Sequence, residues 1–153
     1  MKLLEVLRKE CVIPNLHSKT KPEVIKEISE RVSSIYPNIN AERLVEVLME
    51  REKLCSTAVD AGVAIPHGKL SGVGNIITAF GRSLEGIDFE SLDGKPTHLF
   101  ILLIAPENSA GAHLKLLARI SRIFKDSDFR SRIMEAKSQS EIYEIIIEED
   151  EKH

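Results

Sequence analysis

Residues 97–106 read THLFILLIAP, from Thr97 to Pro106, and every position from Leu99 to Ala105 is apolar. A run without alternation has no polar face, so it predicts a strand, Leu99 to Ile104, covered on both sides within one sheet. Immediately upstream, Gly86 to Gly94 carries turn chemistry. Ile76 to Phe80 is apolar and β-branched enough for a second strand, and Gly62-Val63-Ala64-Ile65-Pro66 reads as a short one ending at its proline. Downstream of Pro106 the spacing turns helical: Leu114, Leu117, Ile120 and Phe124 recur behind Asn108 or Ser109 as N-cap. Phe129, Ile133 and Met134 mark another helix, and Ser138-x-x-Glu141 caps a last one carrying Ile142, Ile145 and Ile146.

The first third is helical by the same criteria. Thr20-x-x-Glu23 is a capping box ahead of Val24, Ile25, Ile28, Val32 and Ile35, and Tyr36-Pro37 ends that helix. A second helix starts at Asn40, with Ile39 and Leu44 placed as a hydrophobic staple, Val47 and Leu48 facing inward, and a fade near Glu52. Helices before, strands between and helices after predict an α/β (α+β) sandwich: one mixed sheet of about five strands flanked by helices, as a single domain over 1–153.

Composition narrows the function. The chain is 42% hydrophobic and 29% charged, with a net charge of −3 and an isoelectric point near 6.0, which disfavours a nucleic-acid binder. No basic cluster exceeds Lys19-Thr20-Lys21, the longest apolar run is far too short to cross a bilayer, and Glu5 interrupts the apolar patch a signal peptide would need. A cytoplasmic location without membrane insertion is the expectation. Cys11 and Cys55 form no CxxC pair, and no HxxxH or HxH pair suggests a metal, so neither metal nor cofactor is expected.

The chemistry concentrates in Arg51-Glu52-Lys53-Leu54-Cys55-Ser56-Thr57 and Ile65-Pro66-His67-Gly68-Lys69. Pro66 locks its own φ and keeps Ile65 extended, so His67 leaves the strand at a fixed angle; Gly68 then lets the chain turn away, leaving the imidazole at the sheet's rim. A neutral imidazole is a good nucleophile toward phosphorus at physiological pH.

Two blocks carry a resemblance: the run RE-K-x-x-ST followed by GVAIPHGKL, and Asp93-Gly94-Lys95-Pro96 with the 98–106 strand and His113-Leu114-x-x-Leu117-Ala118-Arg119-Ile120. In order and spacing they resemble the type-2 enzyme IIA family of the phosphotransferase system, the fructose/mannitol/nitrogen-regulatory IIA proteins. The resemblance spans essentially the whole chain. It implies a phosphotransferase component in which His67 is the phosphorylated nucleophile through its Nε2, His113 donates a hydrogen bond to a phosphoryl oxygen, and Arg51 stabilises phosphoryl charge. Thr57 and Ser56 fall where donors would line the phosphate pocket, and Glu52 would orient Arg51. The implied donor is phosphorylated HPr or a nitrogen-branch paralogue, and the implied acceptor or partner is a IIB domain or a regulatory target. The IPHGKL run and the Arg-Glu-Lys block look most like the nitrogen-regulatory branch; a sugar-specific IIA is the alternative. Where family members often carry loop glycines, Cys55, Ala58 and Asp60 stand here and only Gly62 remains. Outside the site, His98 reads as a core or strand-end histidine, His17 and His153 as surface residues, and Cys55 as a small buried filler.

Overall fold

The computed structural model describes residues 1–58 and 60–153. Among them the elements are α1 (Leu3–Val6), β1 (Leu7–Ile13), α2 (Lys21–Ile35), α3 (Ala41–Leu54), β2 (Val63–Ala64), β3 (His67–Lys69), β4 (Ile77–Ile87), β5 (Thr97–Ala105), α4 (Ala110–Phe124), α5 (Ser127–Glu135) and α6 (Gln139–Glu151). The strands form one sheet in the order β1-β4-β5-β2, with β3 also beside β5. β4 and β5 are antiparallel, while β1 runs parallel to β4, and β2 and β3 run parallel to β5. This is the mixed five-stranded α/β arrangement expected from the sequence.

The helices form where local chemistry favours them. Thr20 accepts from the Glu23 amide and the Glu23 carboxylate reaches back to the Thr20 amide, the reciprocal pair that opens α2. Asn40 and Ser138 accept in the same way from Arg43 and Glu141. On β4, Phe80 stacks on Phe124 of α4, ring centroids 6.2 Å apart. Its neighbour Gly81 points the other way, where an added Cβ would lie 3.1 Å from Ile28 of α2. Successive strand residues face opposite sides of a sheet. So α2 and α4 cover opposite faces.

Four expectations change. The strand through Gly62 does not stop at Pro66. Val63 pairs with Leu99, Ala64 with Phe100, His67 with Leu103, Gly68 with Ile104 and Lys69 with Ala105, so β2 and β3 keep one register and make a single edge strand interrupted at Ile65-Pro66. Proline removes a donor only; the Pro66 carbonyl still accepts from the Leu103 amide at 3.0 Å. Gly68 therefore sits in the strand rather than in a turn, and its missing side chain admits α3: a Cβ there would lie 2.6 Å from Val47 Cγ1. We expect Gly68→Ala to destabilise the protein by about 1–3 kcal/mol through overpacking, measured by urea unfolding, with Val47→Ala in the same chain recovering part of the loss. An unchanged midpoint in Gly68→Ala would contradict this packing.

The N-terminus, unassigned in the sequence reading, supplies α1 and the edge strand β1; the Leu3 amide donates to the buried Asp150 at 2.8 Å, and Arg119 Nε binds the same carboxylate at 2.6 Å. β4 continues past Phe80 to Ile87, because the buried Arg82 finds partners in the carbonyls of Pro14 (2.8 Å), Ile133 (2.9 Å) and Ala136 (2.7 Å). On α4 Ile120 and Phe124 are buried as expected, but Leu114 is 67% exposed, and His113, Leu116 and Ile123 join the inward face.

Candidate active site

Strand alternation turns Gly68 toward α3 and therefore His67 toward the opposite face, where α4 brings His113. The two imidazoles meet edge to face, ring centroids 5.5 Å apart and planes at 76°. His67 Nδ1 lies 2.7 Å from the Ile65 carbonyl oxygen. A carbonyl oxygen only accepts, so Nδ1 carries the proton and Nε2 keeps its lone pair. This ties the tautomer to the backbone two residues upstream, on the far side of Pro66.

His113 is 7% exposed, and its Nε2 is buried without a hydrogen-bond partner among the described residues. An unpaired buried donor or acceptor costs about 1–3 kcal/mol. Ser109, at the N-cap, makes no side-chain cap bond; its hydroxyl donates to the Pro106 carbonyl at 2.6 Å, and the His113 amide makes the first-turn bond to the Ser109 carbonyl at 2.9 Å. Burial holds the pKa of both rings below the ordinary histidine value. For His67 the Arg51 charge adds to that, and the Ile65 carbonyl and Glu52 oppose it; for His113 the neighbouring His67 and Lys69 add to it. Both imidazoles are therefore neutral at neutral pH.

Arg51, in the last turn of α3, donates through Nη1 to the Cys55 carbonyl at 2.9 Å. The two hydroxyls proposed for a phosphate pocket are engaged inside the protein. Ser56 Oγ donates to the Phe89 carbonyl at 2.6 Å. Thr57 gives its amide to Glu52 Oε1 at 3.0 Å and its hydroxyl to Glu52 Oε2. The structure thus brings His67, His113 and the Arg51 charge together, while Ser56 and Thr57 serve as struts. Glu52 does not orient Arg51: its buried carboxylate pairs with Thr57 and with Lys21 Nζ at 3.0 Å. Lys21 was legible in the sequence only as part of a helix start. Its burial follows from tertiary contacts that place α2 against α3.

Among the remaining histidines, His98 is half-buried and donates through Nδ1 to the Ser83 carbonyl at 2.9 Å, and His17 and His153 are exposed. Cys55, expected as a buried filler, is exposed, with its Sγ 3.9 Å from Arg51 Nη1. Ahead of β2, Ala61 takes a left-handed φ of 57°, followed by Gly62 at 73°. Alanine adopts that left-handed conformation at some cost. No group of three or more His, Cys, Asp or Glu side chains suited to a metal occurs among the described residues.

The family model described as "Phosphoenolpyruvate-dependent sugar phosphotransferase system, EIIA 2" matches residues 5–149. A nitrogen regulatory protein of Bradyrhizobium diazoefficiens is 38% identical over 146 residues, 95% of each chain. The fructose-specific EIIABC component of Bacillus subtilis is 37% identical over 150 residues, which are 98% of this chain and 24% of that longer one. The crystal structure of nitrogen regulatory protein IIA-Ntr from Neisseria meningitidis superposes with a TM-score of 0.88 at 31% identity, covering 94% of this chain and 98% of that one.

Proposed function

We propose that His67 is the phosphoryl acceptor of this protein, on the premise that the chain belongs to the EIIA type 2 family of the phosphoenolpyruvate-dependent sugar phosphotransferase system. The observation that carries the reading is the His67–His113 pair: a nucleophile whose tautomer is fixed by the Ile65 carbonyl, beside a buried imidazole Nε2 that has no partner among the described residues. In the transfer, the Nε2 lone pair of His67 attacks the phosphorus of a phosphohistidine donor. The new N–P bond forms as the donor's N–P bond breaks, and the donor imidazole leaves with its electron pair. Positive charge developing on the His67 ring is shared with Nδ1–H and steadied by the Ile65 carbonyl. His113 then donates to a phosphoryl oxygen, and Arg51, with Lys69 on the same strand as His67, offsets the added charge of about −1.5 to −2.

The donor is phosphorylated HPr or a nitrogen-branch paralogue, and the protein works in the cytoplasm as one EIIA domain over 1–153. We favour a regulatory, nitrogen-type role, since relatives bearing that name match over nearly the full length of both chains. The second reading is a sugar-specific IIA handing phosphate to a IIB domain, favoured by the similarity to a relative that carries EIIA together with B and C components. Incubation with phosphorylated HPr should add about 80 Da at one acid-labile site, with phosphorus NMR placing the group on Nε2 of His67. An acid-stable label, or one on another residue, contradicts the assignment. Adding a cognate IIB domain separates the two readings: fast loss of the label favours the sugar-specific one.

A further inference from the structure

We propose that Lys21 is a positioning residue for phosphoryl transfer at His67, acting through an unbroken chain of contacts; this rests on the role given to His67 above. Lys21 Nζ lies 3.0 Å from Glu52 Oε1, and the two residues are 8% and 5% exposed. Glu52 accepts the amide and the hydroxyl of Thr57. The Thr57 carbonyl accepts the Ile65 amide at 3.4 Å, and the Ile65 carbonyl accepts His67 Nδ1–H at 2.7 Å. Every link from the ammonium of α2 to the ring of the nucleophile is therefore a hydrogen bond or an ion pair. A second tie runs alongside: Lys21 Nζ also meets Glu90 at 3.3 Å and sits 4.7 Å over the Phe89 ring, while the Phe89 carbonyl holds Ser56. The loops at 55–58 and 88–90 are thus fastened to one buried cation.

Stability alone gives no account of this cation. Buried ion pairs are on average no more stabilising than apolar side chains of equal volume, and Lys21 lies at the start of a helix whose other buried positions are mostly apolar. Position does account for it. Without Lys21, Glu52 would be a buried carboxylate short of countercharge, and would protonate or admit water. Either change loosens its hold on Thr57, and with it the Ile65 peptide that selects the His67 tautomer. Lys21 does not touch the phosphoryl group itself.

The test compares wild type, Lys21→Met, Lys21→Arg and Glu52→Gln by nitrogen NMR of the His67 ring and by the rate of label uptake from phosphorylated HPr. Wild type should show the Nδ1–H tautomer alone. Lys21→Met should show mixed tautomers and an uptake rate about tenfold to a hundredfold lower, the range seen when an orienting partner is lost. Lys21→Arg should restore both. Should Lys21→Met fail to fold, Glu52→Gln, nearly isosteric and with Lys21 in place, should show the same tautomer mixing. A folded Lys21→Met or Glu52→Gln with a single Nδ1–H tautomer and the wild-type rate overturns the inference while leaving His67 as acceptor. Absence of label in wild type would instead overturn the role of His67 itself.

Discussion

His67→Ala should take up no phosphoryl group from phosphorylated HPr, while keeping the circular-dichroism spectrum of the parent. On the role proposed for His67 the loss should be complete, because its Nε2 forms the bond; no neighbour would replace it, since His113 Nε2, as the proposed hydrogen-bond donor, carries a proton in place of a lone pair, and Arg51 and Lys69 are cationic. The fold survives because His67 is only half-buried and its backbone pairing with Leu103 needs no side chain. The same residue sets the pH profile in wild type. Only the neutral ring has a lone pair on Nε2, so uptake falls as pH drops through the His67 pKa. Burial and the Arg51 charge lower that pKa, so the midpoint should lie below about 6.5, the ordinary histidine value, with a flat rate through neutrality. A label persisting in His67→Ala, or an uptake midpoint above the ordinary value, would show that another group is the nucleophile.

The second large effect falls on onward transfer. His113→Ala should still accept phosphate on His67 but release it to an acceptor domain about ten- to a hundredfold more slowly. A hydrogen bond to a charged group is worth about 1.5–3 kcal/mol, and each 1.4 kcal/mol is about one decade in rate. The buried Nε2 supplies the physical reason: the phosphoryl oxygen would satisfy an atom that has no bond among the described residues. His113→Gln, which retains a donor of similar reach, should recover part of the rate. Equal onward rates in wild type and a correctly folded His113→Ala would remove His113 from the site.

Much of this site can be read without coordinates because its parts are local. Ile-Pro-His is a backbone instruction within three residues, and the caps at Thr20, Asn40 and Ser138 need only their own first turns. What the sequence conceals depends on distant partners. The strand read from Ile76 to Phe80 stops short of Arg82, because the carbonyls that Arg82 binds at Pro14, Ile133 and Ala136 come from elsewhere in the chain. Leu114 fits a helical stripe as well as Leu116 does, and only the sheet decides that His113 and Leu116 turn inward. Gly68 looks like a turn residue, although its lack of a side chain serves the approach of α3. Glu52 and Thr57 sit in a recognisable motif, yet their bond to each other, and the pairing of Glu52 with Lys21 from α2, are products of tertiary packing.

The unbroken register of the edge strand has one more consequence. Ala64, two residues before Pro66, and Gly68, directly after His67, both keep their partners on β5, so the backbone carrying the acceptor is pinned on either side. On the role proposed for His67, adding or removing a phosphoryl group should then leave the scaffold where it was, and the two forms of the protein should share one shape. A partner that tells them apart must do so by sensing the extra negative charge at the rim, as an electrometer would, rather than by recognising a moved surface. Such discrimination acts over a screening length of about 8 Å at physiological salt. Only a partner seated directly over His67 is close enough to read the signal.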